Sequence, residues 1–299
     1  MRSTSEPISE NAEDRLSSAV GRRGAESGSG RLRMNGGDVV DDENVYNFQV
    51  AIRPSRTQGG RQVELPVCSG VLIRGEQVNP TTSVLEDAYY VLTSATCALS
   101  GSTLDLFIGK NEVKATATPD VAALQSSTAI IHPEFLRTFT KADLAIIPID
   151  ATIGAAATAT ALLVSIDDTP SKYLASRVSM SGWGYPNDVF KAPAPRLRQI
   201  SSRVVPNVVC KLAHLGKPIT GEHLCTAGLI NKGPCTGDSG APLIVQSTVN
   251  FSRSLKVIGL ATLTPNDGCS RGRPGIFTRL GSYLRWIQTV TNYDPERTR

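Results

Sequence analysis

Cys235-Thr236-Gly237-Asp238-Ser239-Gly240-Ala241-Pro242-Leu243 sets one serine on a tight turn between two glycines. Gly237 and Gly240 let the backbone bend where a side chain would clash. A turn of this kind aims the amide N–H groups of Gly237 and Ser239 at one point, where they can stabilise a developing oxyanion. Pro242-Leu243-Ile244-Val245 then reads as the start of a buried strand. Ser239 is therefore a candidate nucleophile, and its partners are to be sought elsewhere in the chain.

The stretch resembles the nucleophile loop of the trypsin/chymotrypsin-like serine proteases, whose usual form is Gly-Asp-Ser-Gly-Gly-Pro, with Ala241 as a small departure. Gly-Asp-Ser-Gly alone is short enough to arise by chance in a loop. The preceding Cys235 and the following strand make the match far more specific. Val91-Leu92-Thr93-Ser94-Ala95-Thr96-Cys97 is similar to the family's Val-Leu-Thr-Ala-Ala-His-Cys, and six of the seven positions match or differ conservatively. The seventh is the catalytic histidine, and here it is Thr96. Ala142-Asp143-Leu144-Ala145-Ile146-Ile147 is similar to the segment that carries the triad aspartate. In isolation Asp143 reads as a carboxylate at a strand start; its spacing to Thr96 and Ser239 favours the triad position. The resemblance thus implies a site of Ser239, Asp143 and Thr96 in which the base is missing.

Composition agrees with a β-rich fold. Small and β-branched residues are common and aromatics few. A net charge of +4, with both signs scattered, is too weak to argue for nucleic acid. No apolar run reaches the length of a membrane span. Six cysteines at wide spacing, without a Cys-x-x-Cys pair, favour disulfides over zinc, and hence an oxidising compartment. The N-terminus has no apolar core like that of a signal peptide. Either the signal is missing from this chain or secretion uses another route, and the cysteines favour the first. No metal and no cofactor are expected.

Residues 1–33 carry six arginines and five acids with almost no apolar periodicity, and read as a disordered leader. Arg33-Met34-Asn35-Gly36-Gly37 follows. It is either a basic patch before a flexible linker or, by resemblance, the activation site. There, cleavage after Arg33 would free an amine at Met34 to pair with Asp238. The alternation of Tyr46–Ile52 directly after it favours the second reading, although Met34 and Asn35 are poor replacements for the family's Ile and Val. Residues 53–66 read as a long hairpin loop and 74–86 as a second polar insert. Cys68–Ile73, Arg177–Gly184 and Arg273–Arg279 resemble family strands, and Tyr283, Trp286, Ile287 and Val290 recur at helical spacing. His214 and His223, between Cys210 and Cys225, could suggest metal, but a surface loop is preferred. Asn250-Phe251-Ser252 is a glycosylation sequon.

The resemblance covers residues 34–291, with 292–299 as a frayed tail. It implies an all-β fold of two packed antiparallel six-stranded β-barrels with a C-terminal α-helix. It also implies disulfides Cys68–Cys97, Cys210–Cys225 and Cys235–Cys269. Gly233, Thr262, Thr264 and Gly275 would form the primary specificity pocket, uncharged at its base and suited to a small or apolar group.

A serine hydroxyl needs a base to take its proton as it attacks, and that base must then protonate the leaving group. A threonine hydroxyl does neither. The leading reading is therefore a secreted, catalytically inactive homologue that binds another protein: a protease, an inhibitor or a glycan hydrolase. The glucanase inhibitor proteins of oomycetes are similar in carrying this fold without a working triad. The competing reading is an active serine endopeptidase with an unusual base. An unrelated β-rich adhesion domain would require all of the motif matches to be accidental.

Overall fold

The computed structural model describes residues 37–42, 45–113, 123–136, 141–157, 159–163, 171–249, 252–263 and 268–294. The proposed leader, 1–33, and the end of the tail lie outside them. Strand β1 (Asp38–Val39) is followed by β2 (Gln49–Gln58), β3 (Arg61–Glu64), β4 (Cys68–Val78), β5 (Leu85–Thr93), the short helix α1 (Ala95–Ala98) and β6 (Thr103–Ile108). Then come β7 (Ala123–Ser126), β8 (Ile130–Ile131), β9 (Ala145–Ile149), helix α2 (Ala151–Ala156) and β10 (Leu162–Leu163). The second half holds β11 (Arg177–Gly182), β12 (Arg198–Val205), helix α3 (Asn207–Ala213), β13 (His223–Thr226), β14 (Pro242–Val249), β15 (Ser252–Leu263), β16 (Gly275–Arg279) and helix α4 (Leu284–Thr291). No helix among the described residues is long and apolar enough to cross a membrane.

These strands form two antiparallel sheets. The first runs β7-β6-β2-β4-β5-β9-β8, with β3 added to β2. Its two outer strands, β7 and β8, are separated by only residues 127–129, so the sheet closes through one bent stretch of chain. Counting that stretch once gives the six strands of a barrel. The second sheet runs β12-β11-β14-β15-β16-β13, and Val204↔Thr226 and Val205↔Cys225 pair β12 back to β13, closing a six-stranded barrel by hydrogen bonds. Strand β1 crosses to this second barrel through Asp38↔Gln199, and β10 adds to β15 in parallel.

Successive residues of a strand face opposite sides, and here both sides are buried. Val50, Ile52, Leu72, Val91, Leu106 and Ile147 fill the first barrel. Their neighbours Ala51, Val71, Ile73, Leu92 and Ile146 instead join the cluster that also contains Met180, Leu243, Ile258 and Phe277 of the second barrel. Continuous apolar runs such as Val71-Leu72-Ile73 follow from this double burial. Polar contacts fix how the barrels meet: Gln49 Nε2 donates to the Ser181 carbonyl (2.7 Å) and Ser181 Oγ donates to Gln49 Oε1 (2.6 Å).

The two polar inserts are largely strand, not loop. β2 and β3 pair from Ser55↔Glu64 to Gln58↔Arg61, and β4 and β5 pair out to Val78↔Leu85. These ribbons project beyond the barrel. With no core face they show no hydrophobic alternation, while the backbone ladder forms all the same.

Helix α4 packs its C-terminal end against β4 of the first barrel. A side chain at Gly75 would collide with the Thr291 carbonyl, and Asn292 Nδ2 donates to the Glu76 carbonyl (3.1 Å). Gly75→Ala is expected to cost about 1–3 kcal/mol through this overpacking, read as a lower urea midpoint. An unchanged midpoint would mean that the helix end moves aside freely.

Candidate active site

The turn at Ser239 is built as the sequence requires. Gly237 and Gly240 have φ of +95° and +78°, and a side chain at Gly240 would strike the Ser69 carbonyl and the Thr93 hydroxyl. Both barrels hold the turn: Ser69 N–H donates to the Ser239 carbonyl (2.9 Å), and Gly240 N–H donates to that of Ala261 (2.7 Å). The amides of Gly237 and Ser239 have no acceptor among the described residues, which leaves both donors available to a ligand.

Asp143 is fully buried at the junction of the barrels. It follows Ala142, whose φ of +48° is unusual for a residue with a Cβ; the Tyr283 hydroxyl accepts the Ala142 N–H (3.1 Å). Three donors converge on the Asp143 carboxylate. Thr96 N–H donates to Oδ1 (2.7 Å), while Thr96 Oγ1 (3.1 Å) and Thr262 Oγ1 (2.5 Å) donate to Oδ2. Thr96 sits in the first turn of α1, whose N-cap is Ser94. Ser94 Oγ accepts from Cys97 N–H (3.2 Å) and lies 2.8 Å from Ser239 Oγ. The structure thus brings Ser239, Asp143 and Thr96 to one place and adds Ser94 and Thr262 to them.

A family model described as Trypsin matches residues 34–287. This chain belongs to the trypsin family. Brachyurin of Leptuca pugilator is 29% identical over 208 residues, which is 69% of this chain and 85% of that protein. Glucanase inhibitor protein 3 of Phytophthora infestans is 31% identical over 110 residues, 37% of this chain and 40% of that one. Among solved structures, HL collagenase has a TM-score of 0.64 at 22% identity, over 87% of this chain and 99% of its own, and shares the fold.

In trypsin-family terms, the position of the histidine that would join Asp143 to Ser239 is occupied by two hydroxyls that do not join them. Thr96 Oγ1 reaches Asp143 and Ser94 Oγ reaches Ser239, and neither reaches both. Ser94 differs only conservatively from the family's alanine, and nothing local marks its contact with Ser239. Thr262, expected at the specificity pocket, donates its hydroxyl to Asp143. Gly233 and Gly275 do come together, lining a narrow cavity of about 10 Å³ with Pro234, Arg273 and Phe277. Thr264 lies outside the described residues.

Asp238 is buried beneath the turn. Its Oδ1 accepts Gly184 N–H and its Oδ2 accepts Cys235 N–H, both at 2.9 Å. Side chains at Gly182 or Gly184 would run into this carboxylate. Burial pushes its pKa up from 3.8 to about 7, against the two amide donors. Arg33, Met34 and the sequon Asn250 lie outside the described residues.

Two expectations need correction. The bridges Cys210–Cys225 and Cys235–Cys269 are formed, but Cys68 and Cys97 are buried free thiols. Burial pushes the Cys97 thiol well up, as does its hydrogen bond with Cys68, and Cys68 Sγ also reaches the Pro66 carbonyl at 3.9 Å. Of the two histidines expected on a surface loop, His223 lies in β13, and His214 caps α3 at the start of a loop but turns its ring inward. Both are buried, His214 Nε2 with the Pro274 carbonyl (2.8 Å), and His223 Nδ1 accepting Thr220 N–H (3.1 Å).

Proposed function

We propose that this chain is a secreted trypsin-family homologue without peptidase activity, which acts by binding another protein. One observation carries the reading: the side-chain partner of Ser239 Oγ is a second serine hydroxyl, Ser94, at 2.8 Å. A hydroxyl at neutral pH cannot accept and return the proton that acyl transfer moves. The chain has three histidines. His132 packs against Tyr283 and Trp286, and His214 and His223 are engaged as described.

The partner is a protease, an inhibitor or a glycan hydrolase, bound as cofactor, decoy or target. Similarity over part of the chain to a protein named as a glucanase inhibitor supports this class. The projecting β2–β3 and β4–β5 ribbons are candidate contact surfaces. Two disulfides favour an oxidising compartment, in which Asn250 would be open to glycosylation.

The test is labelling of the purified, Arg33-cleaved chain with a fluorophosphonate serine probe, with a peptide library alongside. No labelling and no cleavage are expected. Rapid labelling at Ser239 would establish the competing reading, an endopeptidase with an unusual base.

A further inference from the structure

We propose that Ser94 is a positioning residue that holds Ser239 out of reaction, so that the site is switched off twice. The inference rests on the reading above and deepens it. A trypsin-family imidazole makes two hydrogen bonds at once, one to the aspartate and one to the serine. Here those two bonds are divided between two side chains that do not connect. Thr96 Oγ1 takes the Asp143 side at 3.1 Å, and Ser94 Oγ takes the Ser239 side at 2.8 Å. Each polar group is satisfied, yet no chain of proton acceptors links nucleophile to acid.

The backbone fixes where the Ser94 hydroxyl stands. Ser94 is fully buried, has φ −82° and ψ 145°, and caps α1 by accepting Cys97 N–H. Its oxygen is therefore held in place at Ser239, and the two hydroxyls share one hydrogen bond. If Ser94 donates, it occupies an Ser239 lone pair of the kind that must attack. If Ser239 donates, its proton points to Ser94 and away from the place of a base. In the first arrangement the bond withdraws electron density from the attacking oxygen, and in the second it must break before a base can take the proton. A net hydrogen bond of ordinary strength corresponds to about three- to tenfold in rate.

Removing Ser94 therefore matters once a base is present. The experiment compares wild type, Ser94→Ala, Thr96→His and the double variant as Arg33-cleaved full chains. In the labelling step, Ser239 Oγ forms a bond to phosphorus, the P–F bond breaks with fluoride leaving, and the hydroxyl proton passes to the introduced imidazole. Ser94→Ala alone should stay silent. The double variant should react with a kinact about three- to tenfold above Thr96→His, with Ki unchanged. Ser94→Thr in the Thr96→His background, which keeps the hydroxyl, should return the slower rate. A lower Tm is expected for Ser94→Ala from the lost cap and is not the readout. Equal or slower labelling by the double variant would overturn the proposal.

If Thr96→His and the double variant are both silent, the intact-scaffold reading fails by itself. Crystal structures of wild type and Ser94→Ala then decide the matter for Ser94. Reorientation of the Ser239 side chain in the variant supports the proposal, and an unchanged rotamer refutes it.

Discussion

Thr96→His is expected to be labelled at Ser239 by fluorophosphonates about 10³-fold or more faster than the wild-type chain. The substitution needs little rearrangement at the acid. Thr96 N–H already donates to Asp143 Oδ1 and would continue to do so, and Thr262 Oγ1 still serves Oδ2. An imidazole N–H would replace the Thr96 hydroxyl as the third donor. Loss of the triad histidine in a comparable hydrolase costs on the order of 10⁶ in turnover. Part of that is expected back, because the turn geometry and the two free amides are in place, while Ser94 still competes for Ser239. Labelling should rise with pH through the imidazole's titration, near ~6.5, since only the neutral ring accepts the proton. A silent variant would mean that the oxyanion donors or Ser239 itself are also misplaced.

The second large effect concerns Asp238. Its pKa of about 7 in the folded chain stands above the ordinary 3.8. Between those values the folded chain holds a proton that the unfolded chain releases. Stability from this group is therefore greatest at low pH and falls as pH rises from 4 to 7, by up to roughly 4 kcal/mol. Above that range both states are ionised and the loss is constant. Asp238→Asn should remove this contribution, so that the difference between the two proteins in urea unfolding grows with pH across the window. Cleavage after Arg33 should act in the same direction if it brings an ammonium to the carboxylate, because a paired charge no longer resists burial. Parallel pH profiles for wild type and Asp238→Asn would rule out a proton held at this position.

Much of the site was legible without coordinates because its signals are local. Gly237 and Gly240 adopt the positive φ that only glycine takes easily, and Asp238-Ser239 between them leaves little choice of turn. Thr96 is locked in register by Val91-Leu92-Thr93 on one side and Cys97 on the other. The strand cores announce themselves as apolar runs because both of their faces are buried. The same local logic misread the β2–β3 and β4–β5 ribbons, which have no buried face to impose alternation. It also misread His223, which lies in β13 and pairs with Thr278, a residue far along the chain.

The sequence by itself therefore determined the apolar strands on which the site is built, the turn that carries Ser239 and the absence of a base at position 96. Tertiary structure alone decided how the vacated bonds were refilled. Ser94 and Ser239 are 145 residues apart in the chain, and Asp143 and Thr262 are 119 apart. Turn conformation follows from the φ and ψ that neighbouring residues allow. Which hydroxyl meets which acceptor follows from the packing of one barrel on the other, and no short stretch of sequence encodes that distance.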